Sequence, residues 1–136
     1  MIRSLLAVLT GTTVWGLLWT TGNDVLVRII PEAVRGDGRV EYVPALIILL
    51  VLSVVLSVLA GGLTAWIARK RETKHTLALG IVQFAIGMAV QIQYIDLMPL
   101  WYYAFFLLLL IPGNVAGGIL RVWLREKNRY PAIRTT

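Results

Sequence analysis

The chain contains no cysteine and a single histidine, His75, among its 136 residues. Without cysteine it has no disulfide, no thiolate nucleophile and no cysteine-based metal site. One histidine excludes a haem held by two histidines and leaves too few ligands for a histidine metal centre. Neither Ser53 nor Ser57 has a histidine or an ionisable base beside it in the sequence, as nucleophilic catalysis would need. The sequence therefore predicts a protein that is not an enzyme and carries no cofactor.

Charge is also scarce. Charged residues make up 15% of the chain, against about 25% in a soluble domain. Hydrophobic residues make up 58%, and the mean hydropathy is +0.78. This balance indicates that lipid is the main solvent of the protein.

Four long windows contain no Asp, Glu, Lys or Arg: residues 4–23, 42–68, 75–95 and 97–120. A helix needs about 20 residues to cross about 30 Å of hydrocarbon, and none of the windows shows the alternation of a barrel strand. The first window is too long for a typical signal peptide, so we expect it to be retained. We predict an all-α fold, a four-helix transmembrane bundle. It forms a single membrane domain over residues 1–136, with helices at about 4–27, 43–68, 76–95 and 99–124.

The basic residues predict the orientation of the bundle. Ten of the 13 Lys and Arg residues fall in the N-terminal tail, the loop after the second window and the C-terminal tail, which includes Arg134. By the positive-inside rule both termini and that loop are cytoplasmic. We expect the following residues to contact anionic lipid headgroups: Arg69, Lys70, Arg71, Lys74, Arg121 and Arg125. Because no soluble basic surface remains, a nucleic-acid partner is not expected.

Small residues recur in the second and fourth predicted helices. Ser53, Ser57, Gly61 and Ala65 are spaced by four, and Gly113 and Gly117 repeat that spacing. Small residues at this interval let two helix backbones approach closely in a membrane. A polar pathway along the serines is the functional alternative, but no charged residue or histidine lies at their depth, so we favour helix packing.

Three amides are candidates for a polar cavity. Gln83 and Gln91 share a stripe of the third predicted helix, and Asn114 follows Pro112, which is expected to kink the fourth. We favour hydrogen bonds between helices, worth about 1 kcal/mol or less each. The alternative is a hydrated or ligand-lined cavity at Gln83, Gln91 and Asn114.

The first predicted helix has few large apolar residues. Thr13, Gly16 and Thr20 share a face that we expect to pack inward, leaving Trp15 and Trp19 on another side.

Aromatic residues cluster near the predicted membrane boundaries. Trp101, Tyr102 and Tyr103 are predicted to form the outer aromatic belt, and Trp66 and Trp123 the inner one. An aromatic cage for a cationic ligand is the functional alternative.

Several segments resemble a known kind of protein. They are residues 61–69 with the basic loop that follows, Leu79-Gly80, residues 98–103, Pro112, and residues 117–121. Together they resemble uncharacterised small four-helix inner-membrane proteins of bacteria. The resemblance implies a multi-pass protein of the bacterial inner membrane, and no activity or ligand residue follows from it.

Two functions remain open. The first is a non-catalytic accessory or structural subunit, or an assembly factor, bound to other membrane protein subunits. The second is a small oligomeric transporter or channel with a path near Gln83, Gln91 and Asn114.

Overall fold

The computed structural model describes residues 2–129. It has four α-helices: α1 (Ile2–Ile29), α2 (Val43–Ala68), α3 (Glu72–Gln93) and α4 (Leu100–Arg129). The all-α class is confirmed, and each helix is long and apolar enough to cross a membrane. Arg134, counted above among the basic residues, lies outside the described residues.

The helices continue beyond their uncharged windows. α1 includes Asp24 and Arg28, and α3 begins at Glu72 rather than near residue 76. α4 ends at Arg129 rather than near residue 124 and runs through Pro112 without interruption. A charged residue marks where hydrocarbon would end, but the backbone hydrogen bonds of a helix extend into polar surroundings at no penalty.

The helices form an antiparallel bundle around α2. α2 packs against the other three helices, most extensively against α4, whereas α1 contacts α3 much less than it contacts α2. The bundle has two ends. The basic end holds the turn between α2 and α3, and there Arg3 Nε donates to the Ile67 carbonyl over 2.8 Å. The loop end holds residues 30–42 and 94–99.

The loop end is closed by a short reversal. A 3₁₀ turn, Pro31–Ala33, leads into an antiparallel bridge between Val34 and Val40, and Gly38 adopts a φ of 84° between them. The chain therefore reverses in a tight turn at residues 36–38. Val40 N donates to the Leu97 carbonyl over 2.8 Å, which joins this loop to the connection between α3 and α4.

The outer surface of the bundle is apolar along its length. Residues more than half exposed occur on every helix, and they include Leu5, Leu17, Val51, Leu59, Leu108 and Ile92. Soluble monomers rarely expose so much continuous apolar surface. Together with the four long helices, this surface indicates a multi-pass membrane protein.

Candidate functional site: a polar cluster and an aromatic cavity

The contact between α2 and α4 brings the two backbones together. A Cβ added to Gly61 would lie 2.1 Å from the carbonyl oxygen of Asn114, and one added to Gly117 would lie 2.0 Å from that of Val58. No side chain fits at either point. α2 and α4 therefore cross at a separation that only glycine permits.

The residues predicted to pack helices lie along this contact. A Cβ on Gly113 would lie 2.9 Å from Ser57 Cβ, so Gly113 meets Ser57 as Gly61 meets Asn114. Ser53 and Ala65, one turn before Ser57 and one turn after Gly61, are completely buried. The structure thus places the α2 stripe inside the bundle, with Gly113 and Gly117 on the facing helix.

Gln83 and Asn114 meet in the middle of the bundle. Asn114 Nδ2 donates to Gln83 Oε1 over 2.8 Å and to the Leu110 carbonyl over 2.7 Å. Both side chains have no exposed surface. They link α3 to α4 beside the close contact with α2, since Asn114 also supplies the carbonyl that approaches Gly61.

Gln83 and Asn114, together with the buried Ser53 and Ser57, form a polar cluster in which several atoms have no hydrogen-bond partner within the described part of the chain. Among residues 2–129, no partner reaches Gln83 Nε2, Asn114 Oδ1 or the hydroxyl oxygens of Ser53 and Ser57. A buried polar atom without a partner costs about 1–3 kcal/mol. The cluster can offer hydrogen bonds to water or to a small polar solute, and it contains no group that titrates.

Gln91 does not join that cluster. It lies two turns further along α3, about 12 Å from Gln83, and lines a separate cavity of about 230 Å³ towards the loop end. α1, α3 and α4 form the walls of this aromatic cavity. Its aromatic lining consists of Trp15, Trp19, Tyr94, Tyr102, Tyr103 and Phe106.

The aromatic rings in this cavity pack on one another. The Trp15 and Trp19 rings are parallel within 5°, with centroids 6.2 Å apart, and Phe106 lies 4.9 Å from Trp19. Tyr103 OH donates to the Tyr94 carbonyl and so ties α4 to the end of α3. The rings fix the position of α1 against α4.

The prediction of an outer aromatic belt is wrong for two of its three residues. Tyr102 and Tyr103 are 2% and 7% exposed and face the interior, whereas Trp101 is 39% exposed. Trp66 and Trp123, predicted for the inner belt, are both on the surface. Aromatic composition near a helix end predicts a belt but does not reveal which rings face inward.

The predicted inward face of α1 is also wrong. Thr13 and Thr20 are exposed, and α1 packs through Ala7, Gly11 and Trp15 instead. A Cβ on Gly11 would lie 2.1 Å from Thr64 Oγ1, whose hydroxyl donates to the Ala7 carbonyl over 3.2 Å. Ala7, Gly11 and Trp15 are spaced by four, but Gly16 and Thr20 have the same spacing, so the spacing did not distinguish the two faces.

The basic end places its cations around the turn between α2 and α3. Arg69, Lys70, Arg71 and Lys74 are exposed, and Arg121 and Arg125 are partly buried. Arg125 has a partner that the sequence did not indicate: it forms an ion pair with Glu72, which is 7% exposed. This pair joins the start of α3 to α4. Within the described range, no three acidic or histidine side chains come together as a metal site.

No protein-family model, no curated protein and no solved structure matches the chain.

Proposed function

We propose that the protein is a non-catalytic accessory subunit, or an assembly factor, of a larger complex in the bacterial inner membrane. In this proposal its four helices span the membrane with both termini in the cytoplasm, and α1 contacts the partner. The observation that carries the proposal is the outer face of α1, which holds Thr13, Gly16 and Thr20.

This face has the composition of a helix contact but no helix against it within the described residues. A Cβ on Gly16 would have no atom within 4 Å. Thr13 and Thr20 are exposed, and the Thr20 hydroxyl donates to the Gly16 carbonyl over 2.9 Å, so it needs no other partner. Gly16 and Thr20 are spaced by four, as are the small residues that α2 and α4 use where their backbones meet.

Lipid alone does not account for the glycine. Glycine in a helix costs about 1 kcal/mol relative to alanine, and lipid chains pack as well against a leucine as against a gap. Small residues are enriched where transmembrane helices meet. A helix from a partner subunit could approach the α1 backbone closely at Gly16, and the resulting van der Waals contact would offset the lower helix propensity of glycine.

α1 is also the helix with the most surface left for a partner. Only three of its residues are buried, namely Ala7, Gly11 and Trp15, against eleven residues of α2 and eight of α4. A partner helix on α1 would cover its outer face in the way that α2 and α4 cover each other within the chain.

Co-purification in a mild detergent tests the partner. We expect the wild-type chain to recover partner subunits at constant stoichiometry and Gly16→Leu to lose them. Thr21→Leu is the matched control, because it adds bulk at an exposed threonine on the same helix, about 140° round the helix axis from Gly16. Recovery of every partner by Gly16→Leu, or none by the wild type, would contradict the proposal.

Single-cysteine labelling tests the orientation. Cysteines introduced at Asp37, in the loop end, and at Thr73, at the start of α3, are the first in this chain. The proposed topology requires an impermeant thiol reagent to reach Asp37→Cys from outside the cell and Thr73→Cys only after permeabilisation. Labelling of both from one side would exclude the four-span arrangement.

A small oligomeric transporter or channel is the second candidate. It is favoured by the unpartnered Gln83 Nε2 and Asn114 Oδ1 at mid-bundle. Liposome swelling with a small polar solute such as glycerol would distinguish the two functions. A homo-oligomer without other subunits that makes vesicles permeable, and loses this property in Gln83→Leu, would favour transport. Impermeable vesicles would leave the accessory role.

A further inference from the structure

The aromatic cavity has features that packing alone does not require. It has a volume of about 230 Å³, lies between α1, α3, α4 and the connection at residues 94–98, and is open on one side. One water takes up about 30 Å³ in the liquid, and apolar voids of this size in a protein bind small apolar molecules. α2 and α4 bring their backbones into contact, whereas α1, α3 and α4 leave this space between them.

Two buried donors belong to the cavity wall. Trp15 is 5% exposed and Tyr102 is 2% exposed. Neither Trp15 Nε1 nor the Tyr102 hydroxyl finds a hydrogen-bond partner between residues 2 and 129. The indole N–H can only donate, so what satisfies it must offer an acceptor. Gln91, half-buried in the same wall, adds an amide with both functions.

The wall defines the charge and shape of a ligand. The lining residues include no Asp, Glu, Lys or Arg, which disfavours the cationic ligand considered above. Six of the thirteen lining residues are aromatic, and the rings of Trp15 and Trp19 stack with their planes parallel. Flat aromatic faces stack best against another planar ring.

The cavity can be reached from the hydrocarbon side. Ile86 and Val90 lie one turn apart on α3, and Tyr94 follows one turn later, just beyond the end of the helix. All three line the cavity and are 43%, 48% and 54% exposed. This wall therefore reaches the apolar outer surface of the bundle between α1 and α3. A ligand dissolved in lipid can enter here and leave an apolar tail outside, since the volume is below that of a site that encloses a drug-sized molecule.

We propose that the aromatic cavity binds the uncharged ring of a lipid-soluble carbonyl compound of the quinone class. Its ring stacks on the aromatic wall and its tail stays in the hydrocarbon. The donor atoms of Trp15 and Tyr102 are fully covered in the structure, and a shift of these two side chains on binding brings the donors to the two carbonyl oxygens of the ligand. This proposal concerns binding alone, and it does not depend on the accessory role of α1.

The test is a fluorescence titration of the full chain in lipid nanodiscs. Trp66, Trp101 and Trp123 are replaced by Phe, so that Trp15 and Trp19 report on the cavity. The probe is 2-decyl-1,4-benzoquinone. Binding gives quenching that saturates with dose, whereas collision with quinone dissolved in the lipid gives quenching that rises linearly. Linear quenching alone would overturn the proposal.

Two competitors separate the chemical features. Decylbenzene keeps the ring and tail but has no carbonyl, and methyl undecanoate has a carbonyl but no ring, like the acyl esters of bilayer lipids. We expect neither to displace the quinone at tenfold excess. Displacement by decylbenzene would refute the need for an acceptor. Displacement by the ester would refute the planar ring and identify ordinary lipid as the occupant.

Two variants test the donors. Tyr102→Phe removes one oxygen that has no partner between residues 2 and 129, so folding is preserved, and Trp15→Phe keeps a ring in place and leaves Trp19 to report. Each should weaken quinone binding about fivefold, the usual net effect of one hydrogen bond. Tyr42→Phe, at an exposed tyrosine of the loop end, is the matched control. Unchanged affinity in both variants would overturn the assignment of Trp15 and Tyr102.

Discussion

A single methyl group at Gly61 tests the close contact between α2 and α4. The Cβ of Gly61→Ala would lie 2.1 Å from the Asn114 carbonyl oxygen and 2.9 Å from its Cα, both backbone atoms that cannot rotate away. An ordinary contact requires about 3.4 Å or more. The two helices would have to separate by about 1 Å along this contact.

The change in the free energy of unfolding is the sum of two costs and one gain. Overpacking of this kind costs about 1–3 kcal/mol. Moving Asn114 also stretches its 2.8 Å hydrogen bond to Gln83, a contact worth about 0.6 kcal/mol on average in membrane bundles. Alanine in place of glycine returns about 1 kcal/mol of helix propensity. We expect Gly61→Ala to lower the free energy of unfolding by about 1–2 kcal/mol.

Gly62→Ala is the matched control, because it makes the same substitution in the same helix one residue later. Its Cβ would lie 3.6 Å from the Gly117 carbonyl oxygen, an ordinary contact. It should be neutral or stabilising by up to about 1 kcal/mol. Reversible unfolding in mixed detergent micelles, followed by helicity, measures both. Equal stability of Gly61→Ala and Gly62→Ala would refute the backbone contact at Gly61.

Two further predictions concern polar pairs measured by the same unfolding assay. Asn114→Leu should cost about 1–2 kcal/mol because it leaves Gln83 buried without its partner, and adding Gln83→Leu should restore most of that loss, since no polar atom of the pair then remains. Arg125→Ala should cost about 1–2 kcal/mol because Glu72 is almost completely buried, whereas Arg129→Ala, at an exposed cation one turn further along α4, should have no effect. Equal effects of Arg125→Ala and Arg129→Ala would show that the ion pair does not hold α3 to α4.

The length and number of the helices could be predicted from the sequence, because crossing a bilayer requires a run of apolar residues that few other structures need. The helix ends could not. Asp24 and Arg28 continue α1, and Glu72 starts α3 inside what charge alone marks as a loop. Charge records the polarity of the surroundings, whereas helix ends depend on backbone geometry, here the left-handed conformations of Arg69 and Arg71.

The inward faces were only partly predictable. In water, hydrophobic residues identify the core, but in lipid both the core and the outer surface are apolar. The α2 stripe was found because small residues are the remaining signal and one helix carries a long row of them. α1 carries two such rows, through Gly11 and through Gly16, and the sequence does not indicate which one meets α2.

The polar residues of the bundle divide by whether their own helix can satisfy them. Thr20, Thr21 and Asn23 each donate to a carbonyl four residues earlier, so they need nothing from a neighbour. The indole of Trp15 and the hydroxyl of Tyr102 have no such local partner. The hydroxyls of these threonines therefore do not require a partner, and what favours a partner helix on α1 is the open space at Gly16. Side chains that cannot bond within their own helix are where a ligand or another subunit gains most by binding. Trp15 and Tyr102 are two of them, and composition alone assigns Tyr102 to the membrane boundary.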